Sequence, residues 1–293
     1  MSSHPFPTAL LLCLAAALPA CQSDRPSGDP AAGSAQGASA SSDSARATPV
    51  TVTATDYKLE LPSSVPAGAV TLQLVNHGKE LHQAQIVRLK DGKTAADVAQ
   101  ALKTEGPPPP WMEFMGGPNG IAPGQETVST AQLAPGQYAL LCLIPSPDGV
   151  PHIAKGMIQP FEVAASGNAS AMPVASDTIR LADYSFESSR PLTPGRHTIL
   201  VTNDGPQPHE LVVLKLAPGK TVEDFAAWAT TGGMKGPPPA LPLGGVGVIG
   251  SGADGVFTAD LAAGDYGLIC FVPDAKDGKL HLAHGMIKQI RVG

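Results

Sequence analysis

Four metal-binding residues of three types, two His, one Cys and one Met, recur in the same order in the two halves of the chain. Two imidazoles, a thiolate and a thioether form a donor set that suits copper cycling between Cu(I) and Cu(II), because sulfur favours Cu(I) and imidazole serves both states. The sequence therefore predicts two copper sites that share no ligand. The predicted ligands are His82, Cys142, His152 and Met157 in the first half, and His209, Cys270, His281 and Met286 in the second.

A long internal repeat underlies this recurrence. Asp56-Tyr57 returns as Asp183-Tyr184, and Asn76 returns as Asn203, both 127 residues later. A unit of this length is a whole domain and not a solenoid repeat. We therefore expect two homologous domains over 48–164 and 176–293, joined by a Ser- and Ala-rich linker over 165–175.

Each unit has the pattern of a strand-rich domain with one helix. Short β-branched or apolar runs alternate with Gly- and Pro-containing turns, which indicates strands. In the first unit these runs cover 50–54, 69–75, 84–89, 127–131, 137–143 and 157–163. A helix is expected over 94–102, with Thr94 as its cap and Asp97 three residues later, and again over 221–230. The predicted fold class is all-β: two tandem Greek-key β-sandwiches, each with one inserted short helix.

The first unit has Asn76 before His82, Tyr138-x3-Cys142 and His152-x4-Met157, and the second has Asn203 before His209, Tyr266-x3-Cys270 and His281-x4-Met286. These motifs resemble those of the cupredoxins, the blue-copper family that includes plastocyanin and azurin. The resemblance implies two cupredoxin-like sandwiches with type 1-like copper sites, in which Met157 and Met286 are weak axial ligands. The loop between the Cys and the second His holds nine residues in one unit and ten in the other. This is longer than in plastocyanin and closer to the loop of copper nitrite reductase.

Three further histidines need an interpretation. His284 stands where the first unit has Lys155, so it is a second candidate for the later site. His281 is preferred because it keeps the four-residue spacing to Met286. His77 and His197 have no counterpart in the repeat and are expected at the surface.

The N-terminus has the pattern of an export signal. Residues 8–17 form an apolar run that is too short to span a membrane but suits a signal peptide. The following Leu18-Pro19-Ala20-Cys21 resembles the bacterial lipobox, which implies a signal peptide over 1–20 and acylation of Cys21. A Ser-, Ala- and Gly-rich tether would then continue to residue 47. The alternative is an ordinary secretory signal cut after Ala20. Both predict a periplasmic or cell-surface protein, and the first adds a lipid anchor in a membrane.

Charge and the neighbours of the cysteines exclude several functions. The net charge is −6 and no basic run occurs, so we expect no nucleic-acid partner. No His adjoins Cys142 or Cys270, and too few imidazoles remain for a catalytic copper cluster, so we expect no enzyme activity. The predicted function is electron transfer by copper, with a redox partner protein or a copper donor or acceptor. Copper capture and delivery, or a metal-free binding module with the same fold, remain open.

Overall fold

The computed structural model describes residues 49–104, 106–165, 170–231 and 233–293. The predicted signal peptide, Cys21, the whole tether to residue 47 and residues 166–169 of the predicted linker lie outside these ranges. The described residues form many short strands and two helices, α1 (Ala95–Ala101) and α2 (Val222–Ala229), which confirms the all-β fold class with one helix in each repeat. The strands are β1 (Val50–Thr55), β2 (Lys58–Glu60), β3 (Ser64–Pro66), β4 (Gly68–Asn76), β5 (Gln85–Leu89), β6 (Met112–Phe114), β7 (Glu126–Leu133), β8 (Gly136–Leu141), β9 (Ile158–Ala164), β10 (Asp177–Ala182), β11 (Ser185–Ser188), β12 (Gly195–Asn203), β13 (His209–Leu216), β14 (Ala240–Ile249), β15 (Asp254–Leu261), β16 (Gly264–Ile269) and β17 (Ile287–Val292).

One sheet runs through both repeats. Its eight strands lie in the order β11-β10-β12-β15-β7-β4-β1-β2, so that β15 of the second repeat pairs with β7 of the first. A second layer in each repeat completes a sandwich, β3-β9-β8-β5-β6 in the first and β14-β13-β16-β17 in the second. The pairing of β7 with β15 therefore joins the two sandwiches edge to edge.

The strand that leads to each cysteine is buried on both faces. In β8, Tyr138 and Leu140 point into the core between the sheets, and Cys142, just after the strand, belongs to the same core cluster. The alternate residues Ala139 and Leu141 point the other way and pack in the cluster that includes α1. Because side chains alternate along a strand, Cys142 keeps the inward phase and its sulfur lies at one end of the sandwich interior.

The two helices begin where the sequence predicts. The Thr94 hydroxyl accepts a hydrogen bond from the Asp97 N–H, while the Asp97 carboxylate accepts one from the Thr94 N–H. Thr221 and Asp224 form the same reciprocal pair at the start of α2. Each capping box satisfies two backbone N–H groups that a helix start otherwise leaves without a partner. No helix in the described ranges combines the length and apolar character needed to cross a membrane.

Two side chains of the first repeat, Asn119 and Gln85, form hydrogen bonds with the second repeat. Asn119 Nδ2 donates to Glu210 Oε2 at 3.0 Å and to two backbone carbonyl oxygens of the second repeat at 3.2 Å each. Gln85 bonds both backbone groups of Val248, through Oε1 to its N–H at 2.6 Å and through Nε2 to its carbonyl at 3.0 Å. All these groups are buried, so the contacts hold the two repeats in one register.

The surface placement expected for His197 is wrong. Its ring is buried, with Nδ1 2.7 Å from Asp177 Oδ2 and Nε2 2.7 Å from the Thr193 carbonyl oxygen. The equivalent positions of the first repeat hold Val50 and Val70, so an ion pair replaces an apolar pair. His77 is exposed, as expected.

Candidate metal centres

The turn after β4 fixes the first histidine of the first repeat. The Asn76 side chain accepts from the Gly78 N–H at 2.8 Å and donates to the carbonyl oxygens of Glu80 at 2.8 Å and Ile121 at 3.1 Å. His82 and Ile121 exchange two backbone hydrogen bonds, at 3.2 and 3.0 Å. Asn76 thus ties together the two segments that hold His82, which lies shortly before β5 and not at its first residue.

A short turn brings the other three predicted ligands together. The Ile153 N–H donates to the Cys142 carbonyl oxygen at 2.9 Å, which sets the helical turn that starts at His152 beside the cysteine. Gly156 ends this turn with φ at 98°, a left-handed conformation that favours glycine. Met157 then bonds back to His152 and to Cys142, at 3.0 and 3.2 Å between backbone atoms. The four-residue spacing between His152 and Met157 is therefore the length of this turn.

The second repeat builds the same turn despite its longer loop. The Met286 N–H donates to the His281 carbonyl oxygen at 3.0 Å, and the Cys270 N–H donates to that of Met286 at 3.2 Å. Pro273 and Leu280 form a bridge that closes the loop before the turn. The additional residue lies between them and leaves the backbone around the predicted ligands unchanged.

Three donor atoms converge in the first repeat, in a group named centre 1 (His82, Cys142 and His152). The two Nδ1 atoms lie 3.1 Å apart, and Cys142 Sγ lies 3.3 Å from His152 Nδ1. All three side chains are 0% exposed. Met157 is also 0% exposed and belongs to the core cluster that contains Cys142.

Centre 2 (His209, Cys270 and His281) repeats this arrangement. Its two Nδ1 atoms lie 2.9 Å apart, and Cys270 Sγ lies 3.6 Å from His281 Nδ1. The three residues and Met286 are each 0% exposed. Every donor of each centre comes from a single repeat.

In centre 1 a carboxylate binds the outer nitrogen, Nε2, of each histidine ring. These two contacts determine which nitrogen of each ring carries the hydrogen. His82 Nε2 lies 3.2 Å from Asp56 Oδ1, and His152 Nε2 lies 2.8 Å from Glu80 Oε2. Because an ionised carboxylate only accepts, both Nε2 atoms carry a hydrogen, and Nδ1 is the nitrogen of each ring that can offer a lone pair to a metal ion. A histidine that binds a metal ion through one ring nitrogen commonly donates the N–H of the other to a carboxylate, as both rings of centre 1 do here.

The charge states of the surrounding groups agree with this assignment. Burial favours the neutral form of Asp56, but hydrogen bonds from the Lys79 N–H and the His82 ring outweigh it, so the pKa of Asp56 lies below its usual range. Burial lowers the pKa of His82, which keeps the ring neutral. Burial also raises the pKa of the Cys142 thiol to about 12.

Three electron-pair donors therefore face one another in centre 1 with only the thiol proton among them. A single thiol proton satisfies one of the two inward nitrogens and leaves the other without a donor. A metal ion in place of that proton would satisfy all three atoms and would stabilise the thiolate that burial disfavours. The donor set of two imidazoles and one thiolate, with the buried Met157 in the same core cluster as Cys142, fits copper.

Centre 2 differs from centre 1 on the outer side of one ring. Asp183 Oδ1 binds His209 Nε2 at 2.7 Å, in the same way as Asp56 binds His82. His281 Nε2, however, is buried without a hydrogen-bond partner among the described residues, and its nearest acidic oxygen, Asp274 Oδ2, is 4.0 Å away. The position equivalent to Glu80 holds Gln207. Burial lowers the pKa of His281 to about 4.

His284, the second candidate for the later site, lies outside the inward group. Its Nε2 is 3.1 Å from Asp277 Oδ1, and its ring stacks on Tyr184 with the ring centres 4.8 Å apart. Together with Asp274 these groups form an acidic cluster near the surface. The structure therefore brings His281, and not His284, to Cys270.

Sequence reasoning missed the carboxylates that orient the rings. Asp56 and Asp183 were visible only as part of the repeated Asp-Tyr pair, a signal that could have suggested a functional role. Nothing in the sequence indicated that the exchange of Glu80 for Gln207 matters, because Glu80 acts on the His152 ring, which is more than 70 residues away along the chain.

Comparisons with known proteins give structural likenesses only. No family model matches the chain, and no curated protein matches it significantly. A reduced auracyanin from the photosynthetic bacterium Roseiflexus castenholzii is 24% identical, with the match covering 40% of this chain and 98% of that protein at a TM-score of 0.30. Copper nitrite reductases from Thermus scotoductus and Nitrosomonas europaea are 13% and 15% identical, each match covering 84% of this chain and 61% and 94% of the enzymes, both at a TM-score of 0.23. Likenesses at such low TM-scores carry no weight here, so the function rests on the residues of the two centres.

Proposed function

We propose that each repeat is a cupredoxin-like domain that binds one copper ion and that the protein transfers single electrons. In centre 1 the ligands are His82, Cys142 and His152, with Met157 as a weak axial ligand. The observation that carries the proposal is the set of inward lone pairs, since Asp56 and Glu80 hold the protons of both rings on the outer nitrogens. In the second repeat the ligands are His209, Cys270, His281 and Met286.

Full burial of the donors favours electron transfer over catalysis and over copper delivery. Copper supplies a one-electron couple, and ligands held in a packed sandwich change little between its two oxidation states. A catalytic metal needs an open coordination position, whereas the three donors of each centre are 0% exposed. Delivery needs ligand exchange with a partner, which requires these side chains to become accessible. Copper capture and delivery remains the alternative that the experiment below separates.

The location of the protein is part of the same proposal. The apolar run over 8–17 and Leu18-Pro19-Ala20-Cys21 support export and acylation of Cys21. The copper domains would then stand on a tether outside the cytoplasm, anchored to a membrane, where they exchange electrons with a redox partner protein.

Single-cysteine variants test the copper proposal. Cys142→Ala should remove one copper and part of the thiolate-to-Cu(II) absorption, and Cys270→Ala should remove the other copper, because neither centre borrows a ligand. Elemental analysis counts the metal, and repeated reduction and reoxidation shows whether it is retained. Rapid loss of Cu(I) to a chelator would favour delivery over electron transfer. Retention of both coppers in either variant would refute the assigned ligands.

A further inference from the structure

The two centres are not electrostatically equivalent, although their inward donors are the same. Glu80 Oε2 accepts directly from His152 Nε2 at 2.8 Å, and its other oxygen accepts from the Tyr57 hydroxyl at 3.0 Å. In the second repeat the equivalent residue, Gln207, makes no hydrogen bond to His281 Nε2. Its Nε2 donates to Asp183 at 3.1 Å and to Asp274 at 2.9 Å.

Asp274, the carboxylate nearest to His281 Nε2, is occupied by other donors. Asp274 Oδ2 accepts from the Tyr184 hydroxyl and from Gln207, while its Oδ1 accepts from the N–H groups of Lys276 and Asp277 at 2.8 and 3.1 Å. Four donors thus spread its negative charge, and its nearest oxygen is 4.0 Å from His281 Nε2. His281 consequently has no charge-assisted hydrogen bond to its outer nitrogen.

A carboxylate bound to the outer nitrogen makes an imidazole a stronger electron donor to a metal ion. A stronger donor and a nearby negative charge both stabilise Cu(II) relative to Cu(I). We propose that the exchange of Glu80 for Gln207 gives centre 1 the lower reduction potential and centre 2 the higher one. When the two-copper protein holds one electron, that electron then resides on centre 2. The proposal rests on the copper function proposed above and adds the residues that set the order of the two potentials.

Reciprocal substitutions test this order in the full-length protein. Centre 1 is measured alone in a Cys270→Ala background and centre 2 alone in a Cys142→Ala background. Glu80→Gln should lower the affinity of centre 1 for Cu(II) by about 10- to 100-fold, the usual effect of losing such a partner, and its affinity for Cu(I) by less, so the potential of centre 1 should rise. Gln207→Glu should lower the potential of centre 2. Potentials come from redox titration and the preference from chelator competition with each copper ion.

Tyr57→Phe provides a matched control at centre 1. It removes the hydroxyl that shares the charge of Glu80 but keeps the ring that contacts His152 edge-on, with centres 5.4 Å apart. The potential should then fall, opposite to the effect of Glu80→Gln, which a general loosening of the site cannot produce. Absence of bound copper in both single-centre backgrounds would refute the proposed function itself. If copper is bound but centres 1 and 2 have equal potentials, the inference alone is refuted. The same holds if Glu80→Gln and Tyr57→Phe do not shift the potential of centre 1 in opposite directions, and this test does not need Gln207→Glu to fold.

Discussion

Replacing Asn76 by alanine should destabilise the first repeat and empty centre 1. The change removes three hydrogen bonds and leaves the carbonyl oxygens of Glu80 and Ile121 without this donor. At about 1 kcal/mol for each bond, the free energy of unfolding should fall by roughly 3 kcal/mol. For a chain of this size that corresponds to a drop in Tm of roughly 6 to 12 °C. Centre 1 should also lose copper, because Glu80 holds His152 and Ile121 holds His82.

Urea unfolding and copper counting together test this prediction. The matched control is Asn203→Ala, which removes the equivalent bonds to Gly205, Gln207 and Ile249 and should affect centre 2 instead. Each variant should keep the copper of the other repeat. If Asn76→Ala leaves both the free energy of unfolding and the copper of centre 1 unchanged, the turn does not position His82 and the reasoning is refuted.

Further predictions concern the second repeat, the contact between repeats and the anchor. The bond to Asp177 outweighs burial and raises the pKa of His197, while the pKa of Asp177 is lowered, so the pair stabilises the fold fully between their usual values of 3.8 and 6.5. This stability should fade as pH rises through the His197 pKa and as pH falls through the Asp177 pKa, and Asp177→Asn should flatten the pH profile of urea unfolding. Asn119→Ala should lower the free energy of unfolding by about 1 to 3 kcal/mol, because the buried Glu210 loses a donor, and an unchanged urea midpoint would contradict this. Cys21→Ser should move the protein from the membrane to the soluble fraction, whereas a wild-type protein found wholly in the soluble fraction would count against acylation.

Local patterns in the sequence predicted most of the framework. Thr94 and Asp97 predicted the start of α1, which begins one residue after Thr94 and ends one residue before the predicted limit. The apolar runs predicted β1, β4, β5, β7, β8 and β9 to within a few residues. The short strands β2, β3 and β6 were missed, since three residues are too few to show alternation.

Contacts between distant segments could not be predicted from local patterns. The pairing of β7 with β15 depends on the register of two edges that lie in different repeats. The same limit explains the error at His197, whose burial depends on Asp177 in a neighbouring strand. A comparison of the repeats position by position would have shown that both residues replace valines, Val50 and Val70, and would have suggested a pair.

The two copper sites are tested most directly by locating the metal in a crystal of the copper-treated protein. Anomalous diffraction collected on both sides of the copper absorption edge should show one copper ion bound to the Nδ1 atoms of His82 and His152 and to Cys142 Sγ. A second copper ion should occupy the equivalent position in centre 2. Copper found only at the acidic cluster of Asp274 and Asp277, or at neither centre, would contradict the account.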